Sequence, residues 1–325
     1  MSGTLFTILK HSVRPAIYAI GIFWLSVTFS FFTLRVLPGD AISTQLRESG
    51  AAPQVIAERR AALHLDDPIL VQYAAYLRGL LQGDLGVSLL TGQSVVELLF
   101  AAVPATIELC AVSLAFGVIA GIALGFLGLT DPFGGTQTLW RRHLRRLLKA
   151  LRDSIIALSV SVPSYWLGTI VIWVFAVQLG LFPSGGAGGL NRVVLPGLVL
   201  GIVMMGGVGA ATSVFAAEAI NEAFVRTAHS KGLSPLLILR RHLLRAILPG
   251  LVVYISTQMV FLLSGAVITE VLFSRPGVGR LLLDAVLRQD FPIVQGVVVW
   301  TTAIVMLVTT VGEWLRRLFD PRLGE

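Results

Sequence analysis

Long apolar stretches separated by short clusters of charge run the whole length of this chain. Six windows of at least 20 residues contain no Asp, Glu, Lys or Arg: 15–34, 109–130, 154–191, 193–217, 246–269 and 291–312. An α-helix needs about 20 mostly apolar residues to cross the hydrocarbon core of a membrane. The pattern therefore predicts six membrane-spanning helices. The third, roughly 153–181, is expected to kink at Pro163 and to end before the glycine-rich loop 183–189.

The composition agrees with an all-α membrane protein and excludes a single soluble enzyme domain. Hydrophobic residues make up 55% of the 325 residues and charged residues only 13%, against about 25% charged in soluble domains. The mean hydropathy is +0.83. The 33 glycines suit closely packed spans. The single cysteine, Cys110, excludes a disulfide within the chain.

The positions of lysine and arginine predict how the spans are oriented. If both termini are cytoplasmic, 16 of the 25 basic residues lie on the cytoplasmic side, in the N-terminus, 130–152, 216–247 and the C-terminus. This bias predicts a multi-pass protein of the plasma (inner) membrane, in contact with lipid. The first helix is expected to stay uncleaved, because its apolar run is longer than a signal-peptide core and residues 31–34 offer no small-x-small cleavage site. The bias also accounts for the high isoelectric point without nucleic acid as a partner.

The predicted segments are a first span with its cytoplasmic N-terminus (1–37), an extracytoplasmic segment (38–98), a core of five spans (99–316) and a cytoplasmic tail (317–325). Within the outer segment, Asp66-Asp67-Pro68 predicts the start of a helix with one apolar face. Gly117, Gly121 and Gly125 recur every four residues in the second span, which predicts close packing against another helix.

The connection between the fourth and fifth spans, about 216–249, predicts two short helices that meet at a glycine. A first helix is expected over 218–231 and ends at Gly232, which can adopt the left-handed conformation. Ser234 and Pro235 are expected to cap and open a second helix. That helix should carry an apolar stripe formed by Leu236, Leu239, Leu243 and Ile247.

This connection and other landmarks resemble the permease subunits of ATP-binding cassette importers. The connection carries Phe224-Val225-Arg226-Thr227-Ala228-His229-Ser230-Lys231-Gly232-Leu233-Ser234. Further matches are Leu37-Pro38-Gly39-Asp40, Gly83-Asp84-Leu85-Gly86-Val87-Ser88, Pro163-Ser164-Tyr165-Trp166, Glu270-Val271-Leu272-Phe273, Pro276-Gly277-Val278-Gly279-Arg280 and Asp320-Pro321-Arg322. They occur in order over most of the chain, and the pattern is most similar to the first permease of the dipeptide, oligopeptide and nickel branch.

The resemblance implies the type I permease fold with six transmembrane helices and a cytoplasmic coupling elbow between helices 4 and 5. It implies a second homologous permease, two ATP-binding subunits that carry ATP and magnesium, and an extracytoplasmic solute-binding protein. The elbow residues implied to couple to the ATPase are Phe224, Arg226, Thr227, Ala228, Lys231, Gly232 and Arg241. Phe224, Thr227 and Ala228 would pack in the partner's cleft, while the basic residues would contact its polar rim.

The chain departs from the family pattern at two positions and lacks catalytic motifs of its own. Ala41 stands where the family has Pro, and Ser213 replaces an Arg upstream of the elbow. None of the three lysines follows a glycine, so a phosphate-binding loop is missing, as are zinc-protease and serine-hydrolase motifs. The five histidines have no paired ligand spacing. We therefore expect no enzymatic activity, metal or cofactor in this chain.

A small set of residues remains as candidates for a gate or a cavity lining: Glu108, Trp166, Glu270, Pro276 and Gly277. Acidic groups in membrane spans are costly and usually face protein or water. Two other kinds of protein stay open: an ion-coupled secondary transporter using Glu108 and Glu270, and a structural or quinone-binding subunit. For an importer, peptides are the expected cargo, with nickel chelates, glycosides and other small solutes as alternatives.

Overall fold

The computed structural model describes residues 2–36, 39–129 and 139–319, which are almost wholly helical. Thirteen α-helices lie in these ranges: α1 Ser2–Val36, α2 Ala41–Glu48, α3 Pro53–Ala62, α4 Ile69–Leu81, α5 Val95–Phe126, α6 Leu139–Ser161, α7 Ser164–Val171, α8 Leu190–Ala219, α9 Ala223–Ser230, α10 Pro235–Ile238, α11 Leu244–Leu272, α12 Val278–Leu287 and α13 Phe291–Phe319. The π-helical turns Ile172–Gln178 and Leu239–Leu243 extend α7 and α10. The motif Asp320-Pro321-Arg322 lies outside the described residues, as do Leu37, Pro38 and 130–138.

Among the described residues, five helical segments are long and apolar enough to cross a membrane, and a bent pair of helices is a sixth if it counts as one span. Helices α1, α5, α8, α11 and α13 provide the five, with α10 running directly into α11. The sixth comprises Arg142–Ser161 and Ser164–Gln178. The all-α membrane fold predicted from the charge-free windows is thus confirmed.

The third span differs from its prediction in both its start and its shape. Helix α6 begins at Leu139 rather than near 153, because its charged residues occupy one face of a continuous amphipathic helix. At Pro163 the axis turns by 101° instead of kinking gently. Proline lacks the N–H of a helix interior and disfavours helical geometry in the residue before it. Pro163 accordingly lies at the N-cap of α7 in an extended conformation.

The chain forms two compact units, and the first comprises Met1–Pro104 and Arg280–Met306. Here buried Asp40 caps α2 by accepting hydrogen bonds from the backbone N–H and hydroxyl of Ser43, both at 2.8 Å. Arg60 forms ion pairs with Asp40 and Asp66. The hydrogen bond to Asp66 raises the pKa of the Arg60 guanidinium above its usual value. Asp40, the last residue of a motif shared with the family, therefore fixes the start of α2.

Two further contacts order the predicted extracytoplasmic segment within this unit. Ser88 donates a hydrogen bond of 2.6 Å to Asp290, which is buried immediately before α13. Helix α4 begins at Ile69, one residue after the predicted proline. Its predicted apolar face is divided: the Tyr73 and Tyr76 rings pack on Phe31 of α1, while Leu70 and Leu81 are exposed. Burial raises the pKa of Tyr76 to about 12.

The second unit comprises Ala105–Gly279 and Leu307–Glu325, and α8 lies at its centre. The glycine stripe of α5 faces α8, as its spacing predicts. A Cβ added at Gly117 would lie 2.8 Å from that of Met204, and one at Gly121 would lie 2.7 Å from that of Val208. Gly125 meets Thr212 in the same way. The two backbones therefore approach each other more closely than any larger residue would allow.

Candidate coupling site

The connection between α8 and α11 begins with a short helix that stands on the end of α8. Helix α8 continues to Ala219, a turn covers residues 220–222, and α9 occupies Ala223–Ser230. The prediction of one helix from 218 was therefore wrong by five residues. Asn221 explains part of the difference, because its side-chain amide donates to the carbonyl of Ala217 and closes α8.

Helix α9 ends in a Schellman motif built around Gly232, as the sequence predicted for this glycine. Gly232 has a φ of +74°. Its N–H donates to the carbonyl of His229 at 2.9 Å, and the N–H of Leu233 donates to that of Ala228 at 3.3 Å. Two carbonyls that the helix end would leave unpaired are satisfied. The motif fixes the direction in which the chain leaves α9.

The second helix of the connection runs without a break into the fifth span. Pro235 occupies its first turn, and Ser234 lies at the N-cap with extended backbone, but the Ser234 side chain makes no capping hydrogen bond. Together α10, the π-helical turn and α11 form one apolar segment, Pro235–Leu272. The second helix of the elbow is therefore continuous with a membrane span.

The apolar stripe predicted for this helix is partly wrong, and the π-helical turn is the reason. The structure buries Ile238, Leu243 and Ile247, whereas Leu236 is 65% exposed. A π-helix closes i→i+5 hydrogen bonds rather than i→i+4 ones. Ile238 and Leu243 are five residues apart and share a face across that turn, so counting in steps of three or four assigned Leu236 to the wrong side.

Helix α9 has one face inside its own chain and one face outside. Val225 and Ala228 are buried in a cluster with Leu243 and Leu251, and Phe224 packs against it while half-buried. Ala228, which the sequence predicts to pack in a partner's cleft, is 5% exposed and is covered here by its own chain. The outer face presents Arg226, Thr227, Ser230 and Lys231.

An open groove of about 730 Å³ lies beside the elbow. It is lined by the ends of α8 and α13 and by the start of α11, and it contains both acidic and basic side chains. Glu218 and Glu222 supply the acids, while Arg241 and Arg245 supply cations. Phe224 reaches into the same groove. Arg241, named from the sequence, is thus on the groove rather than on the outer face of α9.

A second constellation surrounds Glu270, which is completely buried near the end of α11. Its carboxylate accepts hydrogen bonds from the Thr106 hydroxyl at 2.6 Å and from the N–H of Gly279 at 2.8 Å. Thr106 in turn accepts from the N–H of Val278 at 2.9 Å. Two N–H groups in the first turn of α12 are therefore capped by side chains of α5 and α11. Gly277 is required here, because a Cβ would collide with the Glu270 carboxylate.

Arg275 is the residue at this end of the spans that sequence reasoning missed. It is 1% exposed and donates to Glu108 at 3.1 Å, to the carbonyl of Ala105 at 3.2 Å and to that of Arg192 at 3.3 Å. The Glu108 side chain is 59% exposed. Pro276 is also exposed. A cation just beyond an apolar span, within reach of an acid in another span, is the signal that would have identified the pair.

Trp166 and possible metal ligands complete the set of candidate residues. Trp166 is 55% exposed on α7. Within residues 2–36, 39–129 and 139–319, no group of three or more His, Cys, Asp or Glu side chains is arranged to hold a metal ion. The candidate features of the described residues are an elbow, a groove and a capped turn.

Comparison with known proteins places this arrangement in a family. Residues 117–325 match the model of the binding-protein-dependent transport system inner membrane component. The chain is 31% identical to the di/tripeptide transport system permease protein DppB of Pseudomonas aeruginosa, covering 90% of this chain and 92% of that protein. It is 29% identical to the oligopeptide transport system permease protein OppB of Haemophilus influenzae, covering 97% and 99%.

A solved structure of an inward-facing MetNI methionine ABC transporter matches with a TM-score of 0.55 and 21% identity, covering 69% of this chain and 97% of that one. At that identity the match concerns the fold, which is that of an ABC importer permease. With the family match over most of its core and the relatives over nearly its full length, the chain belongs to the binding-protein-dependent transport system inner membrane components.

Proposed function

We propose that this chain forms one half of the translocation path of an ATP-driven importer for di- or oligopeptides. A second homologous permease completes the path, two ATP-binding subunits drive it, and an extracytoplasmic binding protein delivers the peptide. The names of the relatives DppB and OppB support peptides as the cargo. The observation that carries the proposal is the elbow, whose outer face is free of its own chain while its base is packed on two spans.

The elbow has the mechanical properties that coupling requires. Val225 and Ala228 hold α9 on a cluster that includes Ala216 of α8 and Leu251 of α11, so α9 is expected to move with both helices. Close-packed clusters transmit displacement because their side chains have little room to rearrange. Closure of an ATP-bound dimer around the outer face would therefore tilt the fourth and fifth spans together.

The exposed residues of α9 are the ones we assign to contact with the ATP-binding subunit. Arg226, Thr227 and Lys231 point outward, and Gly232 sets the bend behind them. Phe224 and Arg241 would be reached through the groove, where an inserted side chain or loop of the partner fits the volume. Ala228 acts as a positioning residue, since it supports the helix from inside.

We assign the elbow, the N-terminal end of α6 and both termini to the cytoplasmic side. Lys and Arg concentrate in these segments, and the positive-inside bias orients membrane proteins in that sense. The segment 39–98 then lies outside, where a binding protein would dock. This orientation places the turn between α11 and α12 at the outer end of the path.

At that outer end we propose a gate built on two acids with different tasks. Exposed Glu108, together with Trp166, would face the path. Buried Glu270 would hold the turn Pro276-Gly277 in shape through its hydrogen bonds to α12 and Thr106. Opening would then move the turn as a unit.

The two acids give less support to the alternative function, an ion-coupled transporter. Glu270 is occupied in capping α12, and Glu108 is paired with Arg275. An ion site needs a carboxylate free to bind and release its ion.

The test is to purify the assembled complex and to measure ATP hydrolysis and peptide uptake in proteoliposomes. We expect ATP-binding subunits to copurify, and a peptide-loaded binding protein to stimulate both activities. Uptake driven by a proton or sodium gradient without ATP would overturn the proposal in favour of the ion-coupled rival. ATP-driven uptake of a different solute would overturn only the cargo.

A further inference from the structure

Helix α4 is attached to the first span by contacts that reach well inside that span. The hydroxyl groups of Tyr73 and Thr28 are hydrogen-bonded at 2.6 Å, and the guanidinium of Arg35 donates to the side-chain carbonyl of Gln72 at 3.0 Å. Arg35 is the first charged residue after the charge-free window 15–34. Thr28 lies seven residues before Arg35, which is about 10 Å along a helix. The Tyr73 side chain therefore reaches below the polar end of α1, toward the middle of the span.

The same contacts show that α4 crosses α1 instead of running along it. Tyr76 lies almost one turn further along α4 than Tyr73, yet both rings pack on Phe31. Moving along α4 thus brings no change in depth along α1. Rotation about the axis of α4 does bring one: Gln72 faces the polar end of α1, whereas Tyr73, about 100° further round the helix, faces its interior.

The side of α4 that faces the interior of the span carries an apolar stripe that its own chain leaves largely uncovered. The stripe consists of Leu70, Ala74, Leu77 and Leu81. These positions fall within one sector of about 60°, which begins about 40° beyond Tyr73 on the side away from Gln72. Leu70 is 69% exposed and Leu81 is 89% exposed. The polar side chains Gln72, Arg78 and Gln82 all lie outside this sector.

Helix α4 also connects the ends of two spans that belong to the same compact unit. The end of α1 and the start of α13 lie on one side, because Thr44, which follows α1, donates to Gln289, which precedes α13, at 2.8 Å. Shortly after α4, a Cβ on Gly86 would lie 3.8 Å from that of Pro292 in the first turn of α13. A helix that crosses α1 and leads to the same end of α13 lies in the plane of the membrane surface.

We infer that α4 lies in the interface of the outer leaflet and that its stripe binds among the acyl chains of the phospholipids. At the depth of Thr28, a surface that no protein covers meets hydrocarbon. Protein covers little of this region, since 12% of the apolar part of the first span is buried, against 61% of α8. Amphipathic helices in this plane bury their apolar face at the boundary between headgroups and acyl chains.

The composition of the stripe favours lipid over a protein partner. It contains no polar side chain that could set the register of a protein contact, and acyl chains need none. Only the assignment to the outer leaflet rests on the orientation under the proposed function.

The experiment uses the full chain in phospholipid vesicles, in a Cys110→Ala background. Ala74 and Ala75 form a matched pair, because they are adjacent, identical and both exposed, but point about 100° apart. A nitroxide on Ala74→Cys or Ala75→Cys reports its collisions with dioxygen, which concentrates in hydrocarbon, and with an aqueous nickel chelate. The ratio of dioxygen to chelate collisions should be several-fold higher at 74 than at 75.

Leu81 and Gln82 supply a second pair with a chemical readout. With a membrane-impermeant maleimide inside and outside the vesicles, Leu81→Cys should react several-fold more slowly than Gln82→Cys, although Leu81 is hardly covered by its own chain. Both thiols should react at the same rate after the chain is unfolded in detergent, which controls for the integrity of the thiol.

Frequent chelate collisions at both 74 and 75 would overturn the inference, because α4 would then lie in water. Rare collisions with both reagents at 74 would also overturn it, since the stripe would then be covered by protein. The measurement involves neither ATP, peptide nor partner subunits, so its outcome is independent of whether the chain imports peptides.

Discussion

At the residue scale, the buried carboxylate of Glu270, near the end of α11, caps the N-terminus of the next helix, α12. It accepts from Thr106 and Gly279, so both of its oxygens are used as acceptors. An amide has one acceptor oxygen and one donor nitrogen, and cannot reproduce this pattern. A helix N-terminus also favours negative charge. The polar cluster therefore fixes the turn that precedes α12.

We expect Glu270→Gln to lower the free energy of unfolding by about 1–3 kcal/mol, since one buried donor loses its acceptor. The midpoint of thermal unfolding in detergent measures the effect. Glu313→Gln is the control, because Glu313 is 42% exposed in its pairs with Arg316 and Arg317, and such pairs contribute at most about 1 kcal/mol. Equal losses in the two variants would show that Glu270 is not a cap.

The ion pair between Arg275 and Glu108 predicts an asymmetry between its partners. Glu108→Gln leaves a fully buried guanidinium without its counter-ion and should cost about 3 kcal/mol. Arg275→Met leaves a carboxylate that water can reach, and should cost less. The double variant should regain most of the loss from Glu108→Gln, which a double-mutant cycle on thermal unfolding detects. Additive losses would mean that the two residues do not interact.

At the scale of elements, the contact between α5 and α8 depends on glycines that lack a Cβ. Gly121→Ala would place a methyl group 2.7 Å from the Cβ of Val208, and such overpacking costs about 1–3 kcal/mol. Gly21 of α1 has nothing within 4 Å. Gly21→Ala should therefore be neutral or should stabilise the protein by up to about 1 kcal/mol. Equal changes in the unfolding midpoints of Gly121→Ala and Gly21→Ala would contradict a close contact between α5 and α8.

The elbow offers a second matched pair, since Gly232 and Gly50 have φ values of +74° and +75° and open space around them. Alanine at either position carries about the same left-handed strain, roughly 1–2 kcal/mol. Stability should therefore fall equally in Gly232→Ala and Gly50→Ala. Stimulated ATP hydrolysis should fall only in Gly232→Ala, because only that strain lies in the elbow. If both variants lost stimulated ATP hydrolysis equally, the bend at Gly232 would have no specific role in coupling.

At the scale of the whole molecule, the positions of the charged residues and prolines predicted most of the membrane spans. The charge-free windows correspond to five long helices and one broken pair. They failed at α6, where Arg142 and Lys149 belong to a helix that continues into the membrane. A rule that ends spans at charges cannot recognise a helix whose cations share one face.

In the candidate site, features that depend on a few neighbouring residues were predictable from the sequence. Features that depend on packing between distant segments were not. Gly232 and Pro235 took their expected positions because turn geometry depends on a few neighbouring residues. The π-helical turn after Ile238 and the burial of Arg275 depend on packing between distant segments. Their register and their partners do not leave a periodic pattern in the sequence.

The central claim is that the outer face of α9 couples this permease to ATP hydrolysis. Peptide uptake and ATP hydrolysis should be measured together in proteoliposomes for Arg226→Glu/Lys231→Glu and for the control Arg47→Glu/Arg59→Glu, which reverses two exposed charges in the outer segment. We expect the elbow variant to insert and fold normally but to lose uptake and stimulated hydrolysis together, while the control keeps both. Uptake that persists in the elbow variant at the level of the control would contradict the account.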